Sequence, residues 1–310
     1  ENTHVVAIEG NFDDAQTDVK RMFNDPDLAQ KLAARGMQLS SANSMNIGRL
    51  IPQVVYYIYA YAQLVKAGQI EAGQNINITV PTGNFGNILA AYYAKKIGLP
   101  VVTFICASNE NRVLTDFFTS GIYDKKRPFK ITTSPSMDIL VSSNLERLVF
   151  HLVGDNAEKT KCLMDALTRN GSYELQDSDE AIFSQFVAGF ATEAETAAEI
   201  KRVFELDDYV MDPHTAVASA VYQNYRHETG DDTPTLIAST ASPYKFPGVV
   251  VEAITGEPVA DDFEAVSQLK HLSHVIQPKA VIGLQNARVR HRLLVKTADM
   301  QTAVENYLGL

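Results

Sequence analysis

The stretch Ile76-Asn77-Ile78-Thr79-Val80-Pro81-Thr82-Gly83-Asn84-Phe85-Gly86-Asn87, with its continuation to Gly98, constrains the fold more than any other part of the chain. Residues 76–80 are rich in β-branched side chains and read as a short strand. A tight turn with two glycines follows, and Ile88-Leu89-Ala90-Ala91 opens a helix that stops at Gly98. Gly83 and Gly86 can take positive φ and admit a ligand close to the backbone, so the amides of residues 83–87 can turn inward where the helix starts. A helix N-terminus adds roughly half a positive charge, and the combination suits a phosphate. The pattern is neither Gly-x-Gly-x-x-Gly nor a Walker loop, because no third glycine and no Gly-Lys-Ser/Thr follow. Two glycines three apart also occur at α/β turns only to pack helix on sheet; local physics places phosphate binding slightly ahead of that reading.

The rest of the composition narrows the partners. With 310 residues, 45% of them hydrophobic, the chain is long enough for two domains and a large core. A formal net charge of −10 argues against an extended nucleic-acid surface or an anionic membrane as partner, while leaving room for a local site for a small anion. The two cysteines, Cys106 and Cys162, lack the close spacing of a redox or zinc motif, so a reducing, cytoplasmic setting is expected and no metal site. Residues 47–65 are the most apolar stretch, but Arg49, Pro52, Gln53 and Gln63 interrupt it; it reads as a buried helix rather than a membrane span. The opening Glu1-Asn2-Thr3-His4, without methionine or an apolar leader, suggests a piece of something larger.

Taken in order, His4-Val5-Val6-Ala7-Ile8 is strand-like, and Asn11 caps a helix to about Phe23 with acids in its first turn. Ser40-Ser41-Ala42-Asn43-Ser44-Met45-Asn46 precedes Arg49; it reads either as a helix cap alone or as a cap with a ligand-facing role, since a cap needs only one such side chain. Tyr56, Tyr57, Tyr59 and Tyr61 lie all round the following helix and read as core and subunit contact rather than a cofactor site. Residues 101–106 form another strand, so 76–106 is one β-loop-α-β crossover, with the tip 107–111 at the carboxyl edge where open parallel sheets bind ligands. The cluster Lys125-Lys126-Arg127 reads as a solvated loop, and residues 144–208 as a helical peripheral layer. Asp212-Pro213-His214 starts a small-residue helix, its lone histidine read as structural. Residues 236–240 read as a buried strand ending in the proline-kinked loop 241–247.

Four stretches together resemble the threonine synthases: Ser-Ala-Asn-Ser-Met-Asn-Ile-Gly-Arg-Leu (41–50), Val-Pro-Thr-Gly-Asn-Phe-Gly-Asn (80–87), Asp-Pro-His-Thr-Ala-Val-Ala (212–218) and Thr-Ala-Ser-Pro-Tyr-Lys-Phe (240–246). The resemblance implies an α/β fold of the fold-type II, tryptophan synthase β-like class: an open, mostly parallel sheet flanked by helices, truncated at the N-terminus. Residues 1–40 would be the end of the small domain and 41–310 the large domain. It implies pyridoxal phosphate as cofactor, held at its phosphate by Gly83, Asn84, Phe85, Gly86 and Asn87, with Thr240 against the pyridine nitrogen. O-phosphohomoserine would be the substrate, its phosphate near Ser44, Arg49 and Asn87, and threonine and phosphate the products. A guanidinium suits bidentate phosphate recognition, and a neutral hydroxyl at the ring nitrogen moderates the electron sink.

The sequence departs from the family in one decisive respect. The Phe-Lys-Asp motif that carries the Schiff-base lysine is absent, since Phe129-Lys130 runs into Ile131 and Tyr244-Lys245 into Phe246. The small domain's Gly-Asp-Thr-Gly is missing too, and Ser242 stands where many relatives carry histidine. An inactive fragment is therefore expected, with no catalytic residue of its own and with exposed apolar surface favouring a homodimer. A threonine dehydratase or cysteine synthase is the competing enzyme reading, against which the Ser44 to Arg49 arrangement and the 212–218 stretch speak. A non-catalytic phosphate-ligand-binding protein is the alternative from another class.

Overall fold

The computed structural model describes residues 3–176 and 178–310, which fall into two units: Glu1–Ala42 with Ile282–Leu310, and Asn43–Val281. In the smaller unit, strand Ala7–Glu9 pairs in parallel with Leu294–Lys296. Asn11 and Asp14 form a capping box on helix Phe12–Phe23, as the Asn-x-x-Asp spacing directs, and Asp25 caps Pro26–Ala34. Leu28 and Leu32 are buried with Met22 against Met300, Val304 and Leu308 of helix Met300–Leu308. Lys31 to Glu305 and Gln301 to Asp25 tie the same elements at 3.1 and 2.8 Å. Residues 282–310 thus belong to one compact unit with residues 1–42, whereas the sequence division assigned them to the large domain. The reason is nonlocal pairing of a strand with a partner at the other end of the chain.

The larger unit is an α/β layer structure. Its four-stranded sheet runs, in spatial order, Phe186–Phe190, Val101–Ser108, Ile76–Pro81 and Thr235–Ile237, all parallel. All six residues of Ile76–Pro81 are buried, as a central parallel strand covered on both faces must be. Ile76, Ile78 and Val80 enter a core with Ile88, Leu89 and Phe104, whereas Ile105 and Ala107 meet Val217, Ala218 and Val221 of helix Pro213–Thr229. The crossover read from the sequence is present: helix Gly86–Lys96 joins the adjacent strands Ile76–Pro81 and Val101–Ser108.

Three expectations are corrected. Residues 144–208 are not only helical, because Phe186–Phe190 is an edge strand of the main sheet between helices Ala157–Asn170 and Glu193–Asp207. Gly189 permits that packing, since a Cβ there would lie 2.8 Å from Val221. Residues 47–65 are not one buried helix; they divide into Ile47–Leu50, a 3-10 turn Ile51–Gln53 and Val54–Lys66. Leu50, Val54 and Tyr57 are buried, but Ile47, Ile51, Val55, Tyr56 and Tyr59 are exposed. A segment apolar on all sides does not declare which side is covered. The third strand reading shrinks to Thr235–Ile237, half-buried at the sheet edge. No described helix is long and apolar enough to cross a membrane.

Candidate functional site

The central strand Ile76–Pro81 delivers residues 82–85 to the carboxyl edge of the sheet. Thr82 fixes the exit: its amide donates to Ala107 O at 2.8 Å and its hydroxyl to Val80 O at 2.8 Å. The backbone then bends through left-handed Phe85, at φ 62° and ψ 0°, which opens helix Gly86–Lys96 without a side-chain cap. Gly83 and Gly86 are thus not the residues with positive φ, contrary to expectation. Phe85 holds that conformation because its ring is 2% exposed and lies 6.0 and 6.1 Å from the rings of Phe118 and Phe186. The glycines are required for space. A Cβ on Gly83 would lie 2.5 Å from Ser136 O, and one on Gly86 would lie 2.6 Å from Ser44 Cβ.

The carbonyls of Gly83 and Asn84 are both tied to residues 142–144. Ser142 Oγ donates to Gly83 O at 2.7 Å, and Asn144 donates to Asn84 O from its amide at 3.1 Å and from Nδ2 at 2.8 Å. Ser143 Oγ donates to Asn84 Oδ1 at 2.7 Å. Arg147 braces this segment, with Nη1 donating to Asn144 Oδ1 at 2.5 Å and to Ser44 O at 2.9 Å, and Nη2 to Met45 O at 2.9 Å. No carboxylate pairs with Arg147 among the described residues, so its charge stands beside the loop uncompensated. The amides of residues 83–87 donate to no acceptor among the described residues. Carbonyls tied on one side and amides free at a helix start make a place for an anion.

His214 supports the loop from behind. Asp212 caps helix Pro213–Thr229, and its Oδ1 receives His214 Nδ1 at 2.9 Å, while His214 Nε2 accepts the Ser136 amide at 3.2 Å. That pair of partners assigns the proton to Nδ1. Burial opposes charge on Asp212, but hydrogen bonds from the His214 ring and the Thr215 hydroxyl hold its carboxyl below the ordinary range. The histidine, 3% exposed, therefore anchors Ser136, the residue whose carbonyl fills the space beside Gly83. Cys106 is fully buried on the neighbouring strand, and burial pushes its thiol up to about 12, leaving it protonated.

A cleft of about 340 Å³ opens beside the loop, lined among others by Tyr56, Tyr57, Asn87, Leu236 and Thr240. Asn87 and Thr240, predicted from distant stretches, thus share one cavity. Ser44 lies against Gly86. Arg49 is exposed and has no ion-pair partner among the described residues; its carbonyl, which accepts from Gln53 Nε2 at 3.0 Å, is what joins it to the cluster. Tyr57 differs from the three other tyrosines of its helix: it is buried, and its hydroxyl donates to Asn87 Oδ1. It belongs to the site as well as to the core. Ser242 caps the turn Pro243–Lys245 through the Tyr244 amide at 3.3 Å. Residues 142–144 and Arg147 are not singled out by the sequence, where Gln53 reads only as an interruption of the apolar stretch and Tyr57 as core and subunit contact rather than as part of a site. Ser-Ser-Asn followed three places later by arginine carried the signal that flagged residues 40–49, a run of small hydrogen-bonding side chains before a helix.

Residues 215–291 match the family model described as "Threonine synthase, C-terminal". The chain is 43% identical to human threonine synthase-like 1 over 257 residues, covering 82% of this chain and 34% of that protein. It is 36% identical to threonine synthase of Corynebacterium glutamicum over 305 residues, covering 93% of this chain and 61% of that one. A pyridoxal-phosphate-bound threonine synthase from Brucella melitensis superposes with a TM-score of 0.77 at 36% identity, covering 99% of this chain and 59% of that one. The chain therefore spans between about a third and three fifths of the length of these relatives.

Proposed function

Because this chain belongs to the threonine synthase family, we propose that it carries the phosphate-binding part of an enzyme that makes threonine and phosphate from O-phosphohomoserine and water. The observation supporting this most is the set of acceptor-free amides of residues 83–87, with Gly83 and Gly86 so closely backed that no side chain fits. Neutral amides at a helix start, beside the unpaired Arg147, fit the phosphate of pyridoxal phosphate. When bound, that cofactor supplies an electron sink for carbanions formed on the substrate. Gly83, Asn84, Phe85, Gly86 and Asn87 would hold its phosphate, and Thr240 would meet the ring nitrogen with a neutral hydroxyl. Ser44, Arg49 and Asn87 would take the substrate phosphate. The exposed guanidinium of Arg49 would swing onto that group, and a substrate without a phosphate, such as a dehydratase's, would not call on it.

No lysine lines the cleft among the described residues. That favours a second reading for the chain by itself, a phosphate-ligand-binding protein without turnover, because covalent chemistry on an aldehyde cofactor needs an amine in place. The exposed apolar residues of the segment 47–59 support self-association as a homodimer. Two free cysteines accord with a cytoplasmic location.

Calorimetric titration of the purified chain with pyridoxal phosphate and with pyridoxal tests the site. Pyridoxal phosphate should bind reversibly and pyridoxal much more weakly, borohydride should attach neither covalently, and O-phosphohomoserine should yield no threonine. Equal affinities for the two would overturn the phosphate site. Covalent attachment with turnover would overturn the claim that this chain alone is inactive.

A further inference from the structure

We propose that Gln53 and Tyr57 are positioning residues that fix Ser44 and Asn87 as hydrogen-bond donors toward an anion, an inference that rests on reading their surroundings as a phosphate site. The backbone carbonyl of Arg49 has a fixed polarity, since it can only accept. Gln53 Nε2 lies 3.0 Å from that oxygen and 2.8 Å from Ser44 Oγ, so both of its hydrogens are committed. The orientation of the Gln53 amide is thereby set, and Oε1 must face the other way. There it accepts from Asn87 Nδ2 at 3.3 Å. With its nitrogen turned to Gln53, Asn87 presents Oδ1 to the Tyr57 hydroxyl, which donates to it. Burial raises the Tyr57 pKa well above the usual phenol range, so this hydroxyl remains a donor at every working pH.

Two hydrogens are left over. Ser44 Oγ already accepts from Gln53, and its own hydrogen has no acceptor among the described residues. Asn87 Nδ2 spends one hydrogen on Gln53 and keeps the other. Both residues belong to the opening of helix Gly86–Lys96: Ser44 is packed against Gly86, and Asn87 is the next residue. The network therefore leaves two hydrogens, one on Ser44 Oγ and one on Asn87 Nδ2, where the helix start already favours negative charge. Without Gln53 and Tyr57, the serine hydroxyl could rotate and the asparagine amide could turn over, offering lone pairs to the anion instead.

Gln53→Glu tests this directly, because it preserves size and removes the donor. The introduced carboxylate would face the Arg49 carbonyl with no hydrogen to give and would draw the hydrogens of Ser44 and Asn87 toward itself. Inorganic sulfate serves as the probe, since its charge is constant over the range in which a glutamate titrates. Loss of a charge-assisted bond converts to about tenfold or more in affinity. The expected result for Gln53→Glu is a loss of about that size at neutral pH, recovered as the introduced carboxyl protonates, with the sulfate-free unfolding midpoint little changed. Tyr57→Phe should weaken sulfate severalfold without any such recovery in acid. Unchanged sulfate affinity in both variants overturns the inference while leaving the site reading intact. Failure of sulfate to bind the unaltered chain overturns the site reading and the inference together.

Discussion

Gly86 cannot become alanine unless Ser44 moves, since the new methyl would stand 2.6 Å from Ser44 Cβ. Overpacking of this kind costs typically about 1–3 kcal/mol. Urea unfolding of Gly86→Ala should show a loss in that range, and because Ser44 is displaced, phosphate affinity should fall with it; a variant as stable and as tight as the parent would contradict the packing. Arg49 makes the opposite case. Its exposed, unpaired side chain adds nothing measurable to stability, but a charge-assisted contact to phosphate contributes about 1.5–3 kcal/mol. Arg49→Ala should therefore weaken O-phosphohomoserine by about tenfold or more, leave pyridoxal phosphate nearly unchanged and leave the unfolding midpoint in place. Equal weakening of both ligands in calorimetry would show that the two phosphate sites are wrongly divided. At this scale the sequence announced which residues matter better than why. It marked Gly83 and Gly86, yet their role depends on Ser136 and Ser44 pressing on them, and the left-handed residue proved to be the one locked by aromatic neighbours, Phe85.

Elements with local signals were legible and elements defined by their neighbours were not. The capped helix Phe12–Phe23, the strand Ile76–Pro81 and the helix from Gly86 follow from periodicity, Asn-x-x-Asp spacing and turn chemistry. Strand Phe186–Phe190 is a short apolar run amid helix formers, and only its ladder with Val101–Ser108 makes it a strand. The support of the loop by residues 142–144 likewise arises from tertiary contact. Helix Pro213–Thr229 yields a prediction in pH. The Asp212 carboxyl at its cap, with a folded pKa held below its unfolded value, contributes stability that is fully present above the ordinary aspartate range, near 3.9, and is lost as pH falls from there through the folded value. Asp212→Asn should lower stability at neutral pH and flatten this part of the acid limb in denaturation curves. An acid limb of undiminished slope would assign the effect to other carboxylates.

For the molecule as a whole, the exposed run Ile47, Ile51, Val55, Tyr56 and Tyr59, each between 49% and 63% exposed, is the surface feature with the clearest outcome. Light scattering at high concentration should report a dimer or larger species, and Val55→Lys with Tyr59→Lys should return a monomer; a monodisperse monomer of the unaltered chain would refute the surface's role. The smaller unit has a different consequence, one of timing. Its ladder joins Ala7–Glu9 to Leu294–Lys296, and Thr297 Oγ1 reaches Glu9 O across 288 positions of sequence. At ribosomal rates of about 5–20 residues per second, the early strand must wait roughly 15–60 seconds for its partner to be made. The sheet carrying the anion loop is complete by Ile237. During that interval the nascent chain holds the sheet and its loop already paired beside strand Ala7–Glu9 still lacking its partner, an edge open to mispairing until residues 294–296 are made.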